Sequence, residues 1–138
     1  MQNEENKIVY IHQVQYYETD MMQIVHHSNY IRWFEEARMY MLELIGYPYD
    51  RVEEDGILIP VLSVSCEYKI PCRYGEKINV IPKVTAYNGI RLKFEYEVWN
   101  EDFSELRVKG TSSHCFVNSE FKPVSVKREN PELHELLS

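Results

Sequence analysis

Hydrophobic and polar residues alternate along much of the second half of the chain. In residues 76–86 and 90–98, apolar side chains occupy every second position, and polar or charged side chains fill most positions between them. A two-residue period is typical of antiparallel strands with one buried face. Residues 7–18, 57–70 and 105–118 are also rich in apolar, β-branched or aromatic side chains. We therefore expect five strands.

One long helix is predicted between the first two strands. Residues 30–45 contain neither glycine nor proline, Ser28 and Asn29 are suitable capping residues, and Gly46 follows where a helix often ends. Apolar side chains cover most of its circumference, so neighbouring elements must bury it. The prediction is an α+β protein in which an antiparallel five-stranded sheet wraps around one central helix. Without a linker or repeat, residues 1–138 are expected to form a single domain.

The turn between the third and fourth strands can be predicted from parity. A two-residue turn would set Val84 opposite Lys93 and split the shared apolar face between the two sides of the sheet. A three-residue loop at positions 87–89 keeps that face intact by pairing Val84 with Leu92, and it gives Gly89 the left-handed conformation. We predict the three-residue loop.

The charge balance excludes one class of partner. The chain has 15 Lys and Arg against 22 Asp and Glu, a net charge of -7, which argues against nucleic acid. The basic residues Arg91, Lys93, Arg107 and Lys109 are expected on a solvated face, with Arg107 opposite Glu97. An anionic ligand would need a local basic group or a helix N-terminus.

A cytoplasmic location is expected. No apolar run approaches the roughly 20 residues that a spanning helix needs. The first residues, MQNEENKIVY, are too acidic and polar for a signal peptide. The three cysteines are odd in number and form no CxxC pair, so we expect reduced thiols.

The most informative segment is YETDMMQIVHHSNYIRWFEEAR, residues 17–38. It resembles the signature of the 4-hydroxybenzoyl-CoA thioesterase family of hotdog proteins, and is similar to the Tol-Pal-associated acyl-CoA thioesterases. The matches are Tyr17, Asp20, Ile24, Val25, His27, Tyr30, Phe34, Glu35, Ala37 and Arg38, followed by Tyr68, Pro71, Arg73 and Gly75. One position departs: the family has glycine where this chain has Gln23. A left-handed conformation there would cost Gln more than Gly.

Thioester hydrolysis needs a nucleophile or a base for water, together with a donor for the developing oxyanion. The resemblance implies an acyl-CoA thioesterase in which Asp20 is the catalytic carboxylate. Asp20 would either activate water or attack the thioester. The backbone N–H of His27 at the helix start would polarise the thioester carbonyl. The His27 side chain orients Asp20, protonates the leaving thiolate, or simply packs in the loop.

Weaker expectations concern substrate contacts and metals. Tyr30 is a core residue that also lines the acyl pocket, and Arg73 is the best candidate for a nucleotide phosphate contact. We expect no cofactor and no metal: adjacent histidines at His26 and His27 should point in different directions, and no third ligand has zinc spacing. Ser112 and His114 are expected to be satisfied polar groups of the core.

The resemblance implies a homodimer or homotetramer with its active site at a subunit interface and coenzyme A, or an acyl-carrier protein, as the thiol carrier. Uncovered edge strands would allow such pairing. Two alternatives stay open. One is an acyl-thioester hydratase or dehydratase on the same fold, and the other is a hotdog dimer that binds acyl thioesters without cleaving them.

Overall fold

The computed structural model describes residues 7–138. Its five strands form one antiparallel sheet in the order β1-β3-β4-β5-β2, so β1 and β2 are the edges. This arrangement and the long helix confirm the predicted α+β hotdog fold. The elements are β1 (Tyr10–Gln13), a 3-10 turn (Tyr16–Glu18), α1 (Ser28–Leu44), α2 (Tyr49–Glu54), β2 (Val61–Tyr68), β3 (Lys77–Tyr87), β4 (Arg91–Asn100), β5 (Leu106–Cys115), α3 (Val126–Glu129) and α4 (Pro131–Leu137).

Helix α1 begins two residues earlier than predicted and ends at the predicted glycine. Gly46 has a φ of 91°. Its N–H donates to the Glu43 carbonyl at 3.1 Å, and the Tyr47 N–H donates to the Leu42 carbonyl at 2.9 Å. These two bonds satisfy carbonyls that would otherwise lack partners at a helix end.

The buried face of α1 packs on the sheet. Trp33, Phe34 and Ala37 are fully buried, and the Phe34 ring stacks on Tyr96 with centroids 4.3 Å apart. Gly110 on β5 makes this approach possible, because a Cβ atom there would clash with the Phe34 ring. Burying each large apolar side chain contributes roughly 1.5–3 kcal/mol to folding.

The predicted pairing of the β3–β4 hairpin is wrong. Val84 faces Phe94, and a register shift between Val84 and Ala86 sets Ala86 opposite Lys93. The extra residue of a bulge reverses the alternation beyond it. The turn therefore falls at residues 88–90, although Gly89 is left-handed as predicted, with φ 87°.

Both edge strands are shorter than predicted. Residues 16–18 form the 3-10 turn rather than extending β1. Strand β2 covers only Val61–Tyr68 of the predicted 57–70 segment, and most of its side chains are exposed. An apolar strand with exposed side chains at a sheet edge is a surface suited to pairing.

The sheet has two distinct ends. We call the site end the one where Gln13 pairs with Lys77, and the hairpin end the one where Arg91 pairs with Cys115. The C-terminal helices cover the hairpin end, where the Val126 N–H donates to the Gly89 carbonyl at 2.9 Å. No helix in residues 7–138 is long and apolar enough to cross a membrane.

Candidate active site

Asp20 lies on a closed loop between the 3-10 turn and α1. The Asp20 N–H donates to the Ile24 carbonyl at 2.9 Å. The carboxylate is exposed, and its Oδ1 accepts a hydrogen bond from the Met22 N–H at 2.8 Å. Met21 and Met22 are themselves exposed. The loop thus presents a carboxylate and two apolar side chains to solvent on a backbone that is held at both sides.

Gln23 adopts the conformation that a glycine would favour. Its φ is 64°, and its N–H donates to the Asp20 carbonyl at 2.9 Å. The departure from the family signature therefore leaves a left-handed residue in place. For a non-glycine residue this conformation costs on the order of 1 kcal/mol.

The His27 amide stands at the start of α1. His27 immediately precedes the helix, and its N–H has no hydrogen-bond partner within residues 7–138. Its carbonyl accepts a hydrogen bond from the Tyr68 hydroxyl at 3.4 Å, which connects the helix start to β2. A free amide at the positive end of a 17-residue helix can stabilise a negative oxygen.

The two adjacent histidines do not diverge as predicted. The rings of His26 and His27 pack against each other with centroids 4.2 Å apart. His26 Nδ1 also accepts a hydrogen bond from the Ser28 N–H at 3.3 Å. The carboxylate of Asp20 and the ring of His27 share no hydrogen bond in the described part of the chain. A supporting role for this ring stays a prediction.

Tyr30 and Arg73 occupy different environments. Tyr30 is 3% exposed, and its hydroxyl accepts a hydrogen bond from the Cys72 N–H at 3.1 Å; burial raises the pKa of this phenol. Arg73 is exposed and pairs by its backbone with Ile24 of the Asp20 loop. Tyr30 therefore supports the segment that carries Arg73, and the roles of both in substrate binding stay predictions.

Sequence reasoning missed Glu18, the acidic residue two positions before Asp20. It is buried at 4% exposure and bonded to His12, Gln15 and Trp33. Burial alone would raise the pKa of this carboxyl, but the three hydrogen bonds outweigh burial and lower it. Its position between Tyr17 and Asp20 in the signature segment was the one available signal.

Arg107 is not on a solvated face as predicted. It is 7% exposed, and its guanidinium forms two hydrogen bonds with the Glu76 carboxylate, at 3.0 and 2.8 Å. The bonds from Arg107 lower the pKa of Glu76. Across the sheet, Glu97 faces Lys109 instead. The Arg107–Glu76 pair holds the turn beside Arg73, because Glu76 also accepts the Arg73 N–H at 2.7 Å.

Ser112 and His114 lie in the core as predicted. Ser112 Oγ is 2.5 Å from the Tyr96 hydroxyl and 2.7 Å from His114 Nε2. His114 Nδ1 is buried and forms no hydrogen bond within residues 7–138, so the expectation of a satisfied polar group holds only for the Nε2 side of this ring. Burial lowers the pKa of His114 to about 4, so the ring is neutral at pH 7. Within residues 7–138, no group of three or more His, Cys, Asp or Glu is arranged to hold a metal ion.

Comparisons with known proteins place this geometry in a family. Residues 14–133 match the Thioesterase-like superfamily. The putative acyl-CoA thioesterase YneP of Bacillus subtilis is 38% identical over 123 residues, which cover 88% of each chain. The chain is thus similar to a curated relative over most of its length.

Solved structures agree with the sequence comparison. A DHNA-CoA thioesterase from Staphylococcus aureus superposes with a TM-score of 0.89 at 33% identity, covering 94% of this chain and 87% of its own. A hypothetical protein from Aquifex aeolicus superposes with a TM-score of 0.86 at 37% identity, covering 94% and 98%. This chain belongs to the thioesterase-like superfamily and, within it, to the hotdog-fold acyl-CoA thioesterases.

Proposed function

We propose that this protein hydrolyses an acyl-CoA thioester to a free acid and a thiol, with Asp20 as general base or nucleophile and the His27 N–H as oxyanion donor. The observation that carries the proposal is the unpartnered His27 amide at the positive end of α1, beside a closed loop that exposes a carboxylate. Amides fixed in this way stabilise the charge that develops on a thioester oxygen.

Two routes give the same products. In the first, Asp20 takes a proton from water, the water oxygen bonds to the thioester carbon, and the His27 N–H holds the resulting oxyanion. The carbonyl then reforms, the carbon–sulfur bond breaks, and the thiolate takes up a proton. In the second, an Asp20 oxygen bonds to that carbon and displaces the thiolate, and water hydrolyses the resulting anhydride. After one turnover in ¹⁸O-labelled water, label in the Asp20 carboxyl would identify the second route.

The direct test measures thiol release from a panel of acyl-CoAs by wild-type protein and the Asp20→Ala variant. We expect kcat/KM to fall by about 10³-fold or more, which is about 4 kcal/mol of barrier. Hydrolysis that survives within tenfold would remove Asp20 from the chemistry. Hydration of a 2-enoyl-CoA, measured in parallel, would instead support the hydratase alternative.

Coenzyme A binding is assigned to Arg73. The overall charge of -7 repels a nucleotide phosphate, so a local cation is needed. Arg73 is exposed, and its backbone is fixed to the Asp20 loop through Ile24. A guanidinium can donate two parallel hydrogen bonds to a phosphate. Tyr30, packed against Tyr68 with centroids 5.5 Å apart, is assigned to the wall of the acyl pocket.

A homodimer formed through β2 fits these assignments. Within the described residues β2 pairs only with β5, and its free edge exposes Val61, Leu62, Val64 and Tyr68. Antiparallel pairing of two β2 strands about a two-fold axis would set Val61 of one copy near Tyr68 of the other. Tyr68 contacts His27, so the second copy would border the site.

A cavity of about 200 Å³ supports an acyl site at that interface. It lies at the hairpin end and is lined by α1 residues including Met39 and Leu42, and by Val61 of β2. In the proposed dimer the cavity of one copy would open toward the Asp20 loop of the other. A cytoplasmic location belongs to the proposal as well, because all three cysteines are free thiols.

A further inference from the structure

Glu18 joins three parts of the chain through its side chain. Its Oε1 accepts hydrogen bonds from His12 Nε2 and the Gln15 N–H, both at 2.8 Å. Its Oε2 accepts a hydrogen bond from Trp33 Nε1 at 2.7 Å. Strand β1, the 3-10 turn and the underside of α1 are therefore fixed to one carboxylate.

The backbone of Glu18 makes two further connections. Its carbonyl accepts hydrogen bonds from the His26 N–H and from Asn29 Nδ2, each at 2.9 Å. His26 and Asn29 flank His27, whose amide is the proposed oxyanion donor. Glu18 is also only two residues from Asp20. One residue thus connects the segments that carry both proposed catalytic groups.

An ionised Glu18 carboxylate is suited to connecting these segments. A carboxylate accepts hydrogen bonds without donating any, so all three of its side-chain partners must be donors. Trp33 Nε1 and the backbone N–H of Gln15 can only donate. His12 must carry a hydrogen on Nε2 in order to donate as well. On its other side, His12 Nδ1 lies 3.5 Å from Glu36, which accepts a hydrogen bond from the Tyr10 hydroxyl at 2.8 Å.

We propose that Glu18 is a positioning residue, which fixes the distance and orientation between the Asp20 carboxylate and the His27 amide. This inference rests on the proposed function of those two groups. A displacement of about 1 Å in a catalytic group can cost 10²-fold in rate. Glu18 does not touch the reacting atoms, so its loss should lower kcat and leave acyl-CoA binding nearly unchanged.

The Glu18→Gln variant tests this with little change in volume. The amide oxygen of Gln can accept on one side only, so its NH₂ group must face a donor, either Trp33 Nε1 or the His12 and Gln15 pair. One connection is lost whichever way the amide turns. We expect kcat per folded molecule to fall about 10- to 100-fold and KM to change less than about threefold.

Glu36→Gln is the matched control. It alters the other carboxylate beside His12 but touches neither the Asp20 loop nor Trp33, so kcat should stay at the wild-type value. Trp33→Phe removes the α1 connection while leaving Glu18 in place, and it decides the question if Glu18→Gln does not fold. Glu18→Gln and Trp33→Phe should each lower kcat, and the variant carrying both changes should lose less than the product of the two effects, because both disrupt the same Glu18–Trp33 connection.

The outcomes separate this inference from the proposed function. If Asp20→Ala is inactive while Glu18→Gln and Trp33→Phe keep kcat within threefold per folded molecule, Glu18 only stabilises the fold and the positioning role is wrong. The same conclusion follows if both variants lose activity only in proportion to the unfolded fraction in a thermal melt. If Asp20→Ala stays active, the proposed catalytic role of Asp20 and the positioning role of Glu18 are both wrong.

Discussion

Two loops at the site end share the same local structure but not the same surroundings. In each, an exposed aspartate accepts the N–H two residues later: Asp20 from Met22 at 2.8 Å, and Asp102 from Ser104 at 3.1 Å. Each also contains a left-handed residue other than glycine, Gln23 with φ 64° and Phe103 with φ 60°. Neither the carboxylate nor the unusual backbone therefore marks a catalytic loop.

The difference lies in what borders each loop. The Asp20 loop leads into the free N-terminus of α1, pairs with the segment of Arg73, and lies near the β2 edge through Tyr68. The Asp102 loop connects β4 to β5, and its carboxylate is occupied by the backbone and hydroxyl of Ser104, which lower its pKa. Chemistry is proposed where a carboxylate meets a helix start and a strand edge.

The largest expected effect on hydrolysis comes from replacing each of the two aspartates, in separate variants, by asparagine. Asp20→Asn retains an oxygen for the Met22 amide, so the fold should survive while kcat/KM falls about 10³-fold. Asp102→Asn retains the same kind of bond and should hydrolyse acyl-CoA at the wild-type rate. Thiol release and thermal melts of both variants provide the comparison. Similar losses of kcat/KM in the two variants would mean that the surroundings of the Asp20 and Asp102 loops do not determine which one is catalytic.

The next effect should come from the strand edge beside the Asp20 loop. Val64→Lys places a charge in the middle of β2, where it would oppose pairing between copies. We expect sedimentation to show a shift toward monomer and thiol release to fall at least about tenfold. Ile11→Lys, at an exposed position on the opposite edge strand, is the control and should keep the mass and rate of the wild type. An active monomer would contradict a site completed by the second copy.

A smaller effect is expected from the cation paired with the Asp20 loop. Arg73→Gln should raise KM for acyl-CoA about tenfold, equal to about 1.4 kcal/mol, without lowering kcat. The same acyl group on pantetheine, which lacks the nucleotide phosphates, should show no change in KM. Lys77→Gln, which removes another exposed positive charge at the site end, controls for net charge. If Arg73→Gln raised KM equally for the acyl-CoA and the acyl-pantetheine substrate, a contact between Arg73 and a nucleotide phosphate would be excluded.

The smallest effect concerns the left-handed residues. Gln23→Gly should raise the free energy of unfolding by up to about 1 kcal/mol, because glycine relieves the strain. Phe103→Gly should gain less stability, because it also loses the phenyl ring, whose centroid lies 6.3 Å from that of the Trp99 ring. Only Gln23→Gly should change kcat/KM. Denaturant titration and thiol release measure both quantities, and an activity change in Phe103→Gly would break the distinction between the loops.

Patterns of short range in the sequence predicted most of the fold. The period of two in β3 and β4 and the uninterrupted segment before Gly46 both appear in the structure. The hairpin pairing failed because the bulge near Thr85 leaves no mark in the apolar alternation. A shift of this kind depends on tertiary packing rather than on local preference.

The candidate site was predictable only where a motif covers it. Asp20 and His27 follow from the signature, but Glu18 stands beside the exposed Tyr16 and Tyr17, so nothing local indicates its burial. Arg107 likewise meets Glu76 across 31 residues of sequence. Buried charges are tolerated only when paired, and the partner is known only once the chain has folded.

The most direct test is a structure of the protein with a non-hydrolysable acyl-CoA analogue. The oxygen that replaces the thioester carbonyl should lie within about 3 Å of the His27 nitrogen, with an Asp20 oxygen beside the adjoining carbon. An analogue whose carbonyl oxygen lies far from the His27 amide and the Asp20 carboxylate of both copies in a dimer would contradict the account.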